Sequence, residues 1–278
     1  MTAPWLKTLD EVEGSDLPLV GSKTFNLASL RRHGLPVLPG LVVTTAFFQA
    51  QLRHCQVVPL WAGSPDVAVT EDALCGLADT LKTSPLSPEL RVALQTRLSD
   101  TFPDTEVFAV RSSAIDEDTH QYAFSGIHLT ELGVPPDMVP LSIARCWASA
   151  LSKEALEYRR RHGISIQSIR VAVLIQPFIR STVAGVAFTV NPVSGAQDEM
   201  LIEAVHGQAK VVVEGKVTPV RYRLSKHAPD YTLLDWTPGA SRGTEILRNT
   251  GLIQAGVDEC SPLPSRNLRE LAAYLEQI

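Results

Sequence analysis

The sequence predicts an α+β fold, and three features carry that reading. Apolar residues recur at helical spacing in several segments of the first half of the chain, and short β-branched runs lie between them. From Arg170 onward the texture changes to successive strand-like runs separated by turn residues, which predicts a mainly antiparallel sheet. With 278 residues, 45% hydrophobic and 20% charged, the chain can form one large domain or two ordinary ones, because single cores stop growing at about 250–300 residues. A boundary is expected at 105/106, between an N-terminal α/β lobe (1–105) and a second lobe (106–278). The 17 Gly and 19 Pro are spread along the chain, which excludes collagen-like, coiled-coil and wholly disordered proteins.

Taken in order, Phe25, Leu27, Ala28 and Leu30 share a helical spacing that ends at Gly34, a residue suited to the C-cap. Val42 and Val43 with Thr44 and Thr45 suit a short strand, and Ala46 to Leu52 a further helix. Residues 57–70, rich in Pro, Gly, Ser and Asp, read as loop. Ser87-Pro88-Glu89 combines an N-cap, a first-turn proline and an acid favoured by the helix dipole, predicting a helix from Pro88 to Leu98. Val107 to Val110 is a buried-strand run that delivers Arg111, Ser112 and Ser113 at its C-terminal end. Ala144, Trp147, Ala148 and Leu151 mark another helix. Ser152 caps the next, Lys153 to Arg161, whose closing Arg159, Arg160, Arg161 and His162 complement the dipole before Gly163. That basic cluster is expected to be a solvated helix end rather than a phosphate site.

Strand-like runs follow at 171–176, 183–190, 200–204, 211–213 and 220–224, with a turn at Asn191 to Gly195. Residues 227–264 mix Pro, Gly, Asp and Ser with scattered apolar side chains and read as loop with short elements. Leu268, Leu271, Ala272 and Leu275 then share one face of a last helix capped by Ser265. It reaches Ile278 with no C-cap, so a chain cut short at its C-terminal end is expected.

Lys and Arg number 25 against 30 Asp and Glu, a net charge of -5. Such a chain has no general attraction for nucleic acid or anionic membrane, so any anion must be held by a local site. Cys55, Cys75, Cys146 and Cys260 lie far apart, with no CxxC pair and no zinc spacing, and are expected to be reduced. The N-terminus lacks a signal-peptide pattern, and no run approaches the roughly 18 apolar residues of a membrane span. A cytoplasmic protein with neither nucleic-acid nor membrane partner is expected.

Residues suited to chemistry are few. Gly21-Ser22-Lys23 sets a cation near a helix start, where it either serves a phosphate as a point charge or is an ordinary surface lysine after a turn. Arg111 offers a bidentate fork to a carboxylate or phosphate, with Ser112 and Ser113 adding hydroxyls; it equally pairs with Asp116, Glu117 or Asp118. Ser125-Gly126 with Thr130 forms a phosphate cradle or a plain turn. Gln176-Pro177 ends a strand with an amide and with backbone that can meet a flat base. Histidines 33, 54, 120, 128, 162, 206 and 227 are scattered, and neither a hydrolase triad nor a metal-ligand arrangement is readable.

The order and number of these signals resemble one family. Val20-Gly21-Ser22-Lys23 with Asn26-Leu27 and Leu30, Gly34-Leu35-Pro36-Val37, and Pro39-Gly40 with Val42, Val43 and Thr44 look like the opening of phosphoenolpyruvate synthase. Phe108 to Ala114 with Glu117-Asp118, and Phe124-Ser125-Gly126 with Thr130, match its next blocks. Tyr158-Arg159, Val171-Ala172-Val173, Gln176-Pro177, Ala184 to Thr189, Asn191-Pro192, Gly195, Ile202-Glu203-Ala204 and Gly215 to Pro219 continue it in order. The resemblance covers nearly the whole chain and is to the N-terminal nucleotide-binding domain of phosphoenolpyruvate synthase, pyruvate phosphate dikinase and rifampin phosphotransferase.

That resemblance implies an ATP-grasp-like domain of two α+β lobes binding ATP and Mg2+. Lys23 and Arg111 would neutralise phosphates, the Gly126 to Thr130 loop would lie over them, Gln176, Pro177, Phe178 and Ile179 would line the adenine pocket, and Glu203 would belong to the ATP site. No catalytic residue is assigned. In the family a phosphoryl group passes from ATP to a histidine on a separate swivelling domain and then to pyruvate or another acceptor, so a separate chain carrying the phosphohistidine and pyruvate-binding domains is an expected partner. The sequence departs from the family at Gly207-Gln208-Ala209-Lys210, where Gly-Leu-Gly-Glu is usual, at Val220, where Asp is common, and at Ser22, where Gly is. The family's metal-ligating block would begin after Ile278. The alternative implied by these departures is a catalytically inactive nucleotide-binding or regulatory homologue.

Overall fold

The computed structural model describes residues 4–55, 71–115, 129–166, 169–208, 212, 215, 217–227, 231–239 and 263–278. The expected loop at 57–70, the acidic run Asp116 to Asp118, Gly126, Lys210, Cys260 and most of the 211–213 run lie outside these residues. Chain contacts divide the molecule into two compact units, 1–178 and 179–278. Both combine helices with wholly antiparallel sheet, the expected α+β content.

In the first unit five strands pair in the order β1 (Leu6–Thr8), β2 (Leu41–Val43), β5 (Val171–Pro177), β3 (Phe108–Ala114) and β4 (Thr130–Val134). Position 105 falls inside this unit, just before β3. That strand pairs antiparallel with β5 over its whole length, Phe108 opposite Pro177 and Ala114 opposite Val171. β5 in turn pairs with β2. The sheet thus ties residues on both sides of 105 together. The run at 171–176 joins this sheet rather than that of the runs after it.

One face of the sheet carries a thick helical layer. Leu41, Val43, Val110, Val171, Val173 and Ile175 project into a core with α3 (Thr45–His54), α4 (Glu71–Thr83), α5 (Pro88–Thr101), α6 (Val139–Ser149) and α7 (Lys153–Arg161). Phe47 and Phe48 lie against Trp147, ring centroids 6.0 and 5.3 Å apart. The other face is covered thinly. Val42, Ala172 and Leu174 meet Leu9, Val12, Val20 and Ala28, from a short 3-10 turn (Leu9–Glu11), α1 (Leu17–Val20) and α2 (Ser22–Arg32).

Helix ends follow the local chemistry. Ser87 accepts from Leu90 N at the start of α5, and Ser152 from Ala155 N at the start of α7. Gly34 ends α2 at φ +82. The basic end of α7 is only partly the solvated cluster expected: Arg160 and Arg161 are exposed and clasp Glu157, but Arg159 is 2% exposed. Its guanidinium folds back to donate to the Ser165 carbonyl at 3.0 Å, which satisfies a carbonyl just past the helix and buries the apolar stem.

The second unit holds the sheet β6 (Val183–Phe188), β7 (Glu199–His206), β8 (Val220–Ser225) and β9 (Leu233–Thr237), with α8 (Ser265–Glu276). β9 lies in the segment expected to be loop; its Trp236 stands opposite Tyr222 on β8, a large cross-strand pair of the kind that stabilises an edge. Met200, Ile202, Ala204, Tyr222 and Leu224 pack on Leu268 and Ala272 of α8. No helix among the described residues is long and apolar enough to cross a membrane.

Gly21 and Gly34 offer a matched comparison. Both have positive φ, but a Cβ at Gly21 would sit 2.2 Å from the Ser113 carbonyl oxygen, whereas one at Gly34 meets nothing within 4 Å. Gly34→Ala should cost about 1–2 kcal/mol, the backbone term alone. Gly21→Ala should cost about 2–5 kcal/mol, since overpacking adds to it. Urea unfolding of the two variants checks the order. For Glu157, hydrogen bonds from Arg160 and Arg161 hold the carboxyl down at about 2. Its folded value lies below its unfolded one, so the stabilisation it gives is complete above pH 4.5 and is lost as pH falls toward 2. Carboxyl NMR titration should give that low midpoint, moving up to the ordinary range in an Arg160→Gln, Arg161→Gln double variant.

Candidate functional site

The site is built where α2 meets β3. Gly21, at φ +75, lets the chain turn between α1 and α2 in contact with Ser113. Around that contact Ser113 Oγ donates to the Val20 carbonyl at 2.8 Å and accepts from Thr24 N at 3.1 Å. Ser22 Oγ donates to the Ile115 carbonyl at 2.6 Å. These bonds consume the hydroxyls of Ser22 and Ser113 and fix the first turn of α2 on the strand. Lys23 then reaches β3, its Nζ 3.1 Å from the Ser112 carbonyl.

Arg111 stands beside that carbonyl. It lies in the middle of β3, not at a strand end as the sequence suggests, because Ser112, Ser113 and Ala114 go on pairing with Val173, Ala172 and Val171. Ser112, which donates from both N and Oγ to the Leu129 carbonyl, faces the helical layer. Arg111 alternates with it and so faces the α2 side, as do its cross-strand neighbours Leu174 on β5 and Thr130 on β4. Its Nε is buried and has no hydrogen-bond partner among the described residues. Burial alone pushes the guanidinium below its usual value. A buried cation donor left open is costly unless an anion meets it.

Gln176 shares that face, opposite Ala109. Its amide is committed: Nε2 donates to the Leu38 carbonyl at 3.1 Å, and the residue is 5% exposed. Pro177 ends β5, and Phe178 N donates to the Val107 carbonyl at 3.0 Å. Lys23, Arg111, Thr130 and Gln176 are therefore brought to one face of one sheet, with Pro177 and Phe178 at the end of its central strand.

Ile179 and Glu203 belong to the second unit. The Ile179 carbonyl accepts from Ser181 N at 3.0 Å and from Gln208 Nε2 at 3.2 Å. Gly207, at φ +94, donates its N–H to the Thr182 carbonyl and accepts from Ser181 Oγ. Gln208 is a residue whose role the sequence alone did not reveal: the departure from the family's Gly-Leu-Gly-Glu places an amide that holds the backbone at 179. Glu203 lies on β7 and takes both Nε and Nη2 of Arg221 on β8, at 2.9 and 2.7 Å. The register sets Arg221 directly opposite, so the pair is a cross-strand ion pair on the face away from α8.

The AMP/ATP-binding domain family of pyruvate phosphate dikinase matches residues 17–261 of this chain. Among curated proteins, the chain is 33% identical over 232 residues to the probable phosphoenolpyruvate synthase of Staphylothermus marinus and to the phosphoenolpyruvate synthase of Aeropyrum pernix. Each match covers 78% of this chain and 28% of the relative. It is 32% identical over 227 residues to the rifampicin phosphotransferase of Streptomyces sviceus, covering 79% of this chain and 26% of that protein. The chain thus spans little more than a quarter of the length of these relatives.

The open Nε of Arg111 has a consequence for the ligand-free protein. Arg111→Met keeps most of the apolar stem and removes an uncompensated buried donor. The unfolding free energy of the ligand-free chain should be unchanged or raised by about 1 kcal/mol. Urea unfolding measures it; a clear loss would mean that the guanidinium has a structural partner.

Proposed function

This chain belongs to the pyruvate phosphate dikinase AMP/ATP-binding domain family, and on that premise we propose that it holds ATP with its phosphates on Lys23 and Arg111. It is an ATP-binding domain of the phosphoenolpyruvate synthase-like phosphotransferases. The observation that carries the residue assignment is the convergence of Lys23 and Arg111 on one stretch of β3, with the Arg111 Nε open. Phosphoryl transfer is mostly a matter of positioning and charge neutralisation, and a strand cation with a helix cation held against that strand suits the need. Thr130, on the neighbouring strand and the same face, adds a hydroxyl within the reading. Gly126 lies outside the described residues.

The rest of the reading follows the family. The fold of this reading is an ATP-grasp-like domain, in which Gln176, Pro177, Phe178 and Ile179 line the adenine pocket and Glu203 belongs to the ATP site. ATP supplies the phosphoryl group when bound; Lys23 and Arg111 bind its phosphate oxygens and draw off negative charge. Among the described residues no three His, Cys, Asp or Glu side chains gather into a metal-holding group. Those residues do not make a Mg2+ site on their own. The acceptor is a histidine on a phosphohistidine domain, which with a pyruvate-binding domain resides on another segment or a separate chain.

Calorimetric titration of the chain with ATP tests the reading. Arg111→Met and Lys23→Met should each weaken binding by about 10- to 100-fold, since hydrogen bonds to charged groups contribute about 1.5–3 kcal/mol. Unaltered affinity in both variants, with the fold intact, would remove the two cations from the phosphate site.

A further inference from the structure

On the helical side of the first unit, away from the face that carries Arg111, α4, α6 and the start of α7 border an open pocket of about 510 Å3. Its apolar wall includes Cys75, Leu129 and Leu151, and Lys82, Arg145 and Lys153 also line it. A pocket of this size, mainly apolar with a few charged groups, suits a small organic ligand.

The charges select the kind of ligand. Lys82 has Asp79 as its countercharge at 3.3 Å, and Arg145 has Glu131 at 3.2 Å. Both contacts are long and exposed, so each holds its cation only weakly. Glu131 is shared, since it also accepts from the buried Ser142 hydroxyl. Lys153 makes no salt bridge within 4 Å to a described residue; its charged neighbour is Glu154, whose carboxyl its own backbone N–H lowers most and Lys153 helps to lower. The two hydroxyls in the wall are already used: Ser149 accepts from Leu129 N and donates to the Cys146 carbonyl, and Ser152 caps α7. The pocket therefore carries three cations, Lys82, Arg145 and Lys153, against one acid in its wall, Asp79, and an apolar surface with little neutral hydrogen-bonding capacity. We propose that it binds an organic anion, a single carboxylate, sulfonate or phosphate group on an apolar or aromatic body, at a site separate from that for ATP.

The test uses the 278-residue chain and 8-anilinonaphthalene-1-sulfonate, a monoanion on an aromatic body. The probe should bind with enhanced fluorescence that saturating ATP does not abolish. It should slow alkylation of Cys75 by iodoacetamide, followed by peptide mass spectrometry, while Cys55 reacts at an unchanged rate. Lys153→Glu should weaken probe binding about fivefold, the size of one exposed charge contact. It should leave ATP affinity unaltered; an acid in the first turn of α7 suits the helix dipole, so the fold is kept. Arg111→Met separates the two sites, because it should lower ATP affinity and leave the probe in place. Fluorescence wholly displaced by ATP, or Cys75 alkylation unaffected by the probe, would overturn the proposal.

Discussion

A glycine with no room for a side chain governs the arrangement of the first unit. Gly21 lies so close to β3 that a Cβ would fall 2.2 Å from the Ser113 carbonyl oxygen, far inside van der Waals contact. The polar contacts around it link residues 89 to 93 positions apart in sequence. Closing such loops costs chain entropy before any contact forms, so the partners must be specific. Two hydroxyls, Ser22 and Ser113, are spent on backbone groups at this junction, and the first turn of α2 is fixed on the strand rather than merely near it. Lys23 is the next residue, and its position beside β3 is a result of that docking.

The same docking explains how two cations come to share a small region of β3. Lys23 is steadied by the Ser112 carbonyl, whose dipole favours the ammonium. Arg111 is held by strand pairing on both sides, through β4 and β5, so it cannot swing out to solvent without disturbing the sheet. In a ligand-free protein this arrangement is unfavourable, because burial penalises the charged guanidinium. A sheet that tolerates the penalty is the form expected of a site whose anion is supplied from outside, where stability is given up for function.

What could be read from the sequence was what depends on neighbours in the chain. α5 and α7 were legible because Ser87 and Ser152 cap them locally, and α2 because Gly34 ends it. β3 was read too short, since Arg-Ser-Ser resembles the polar end of a strand. The hydroxyls are satisfied by Leu129, Val20 and Thr24, partners that only the fold brings near. β5 was grouped with the later strands for the same reason: its run of apolar residues says strand but not which strands it joins. Arg159 shows the limit most directly. A basic residue in a helix's last turn reads as solvated, yet its partner is a carbonyl just beyond the helix and its stem is covered by the core. Of the candidate site, residue types and order were legible, and the sharing of one face by Lys23, Arg111, Thr130 and Gln176 was not. That sharing depends on cross-strand register.

The unequal covering of the two faces completes the physical picture. Helices α3 to α7 bury one face under aromatic and leucine side chains, a layer thick enough to carry most of the stability of the unit. The opposite face has only a 3-10 turn and two helices against Val42, Ala172 and Leu174. A thinly covered face leaves Thr130 exposed and Arg111 only partly covered while β3 and β5 remain central and rigid, because the backbone is anchored from the other side. Placing such residues on the thick side would have required paired charges within the core, which bring little net stability. The polar residues thus occupy the thinly covered side, where Gln176 and the Arg111 Nε are nonetheless buried.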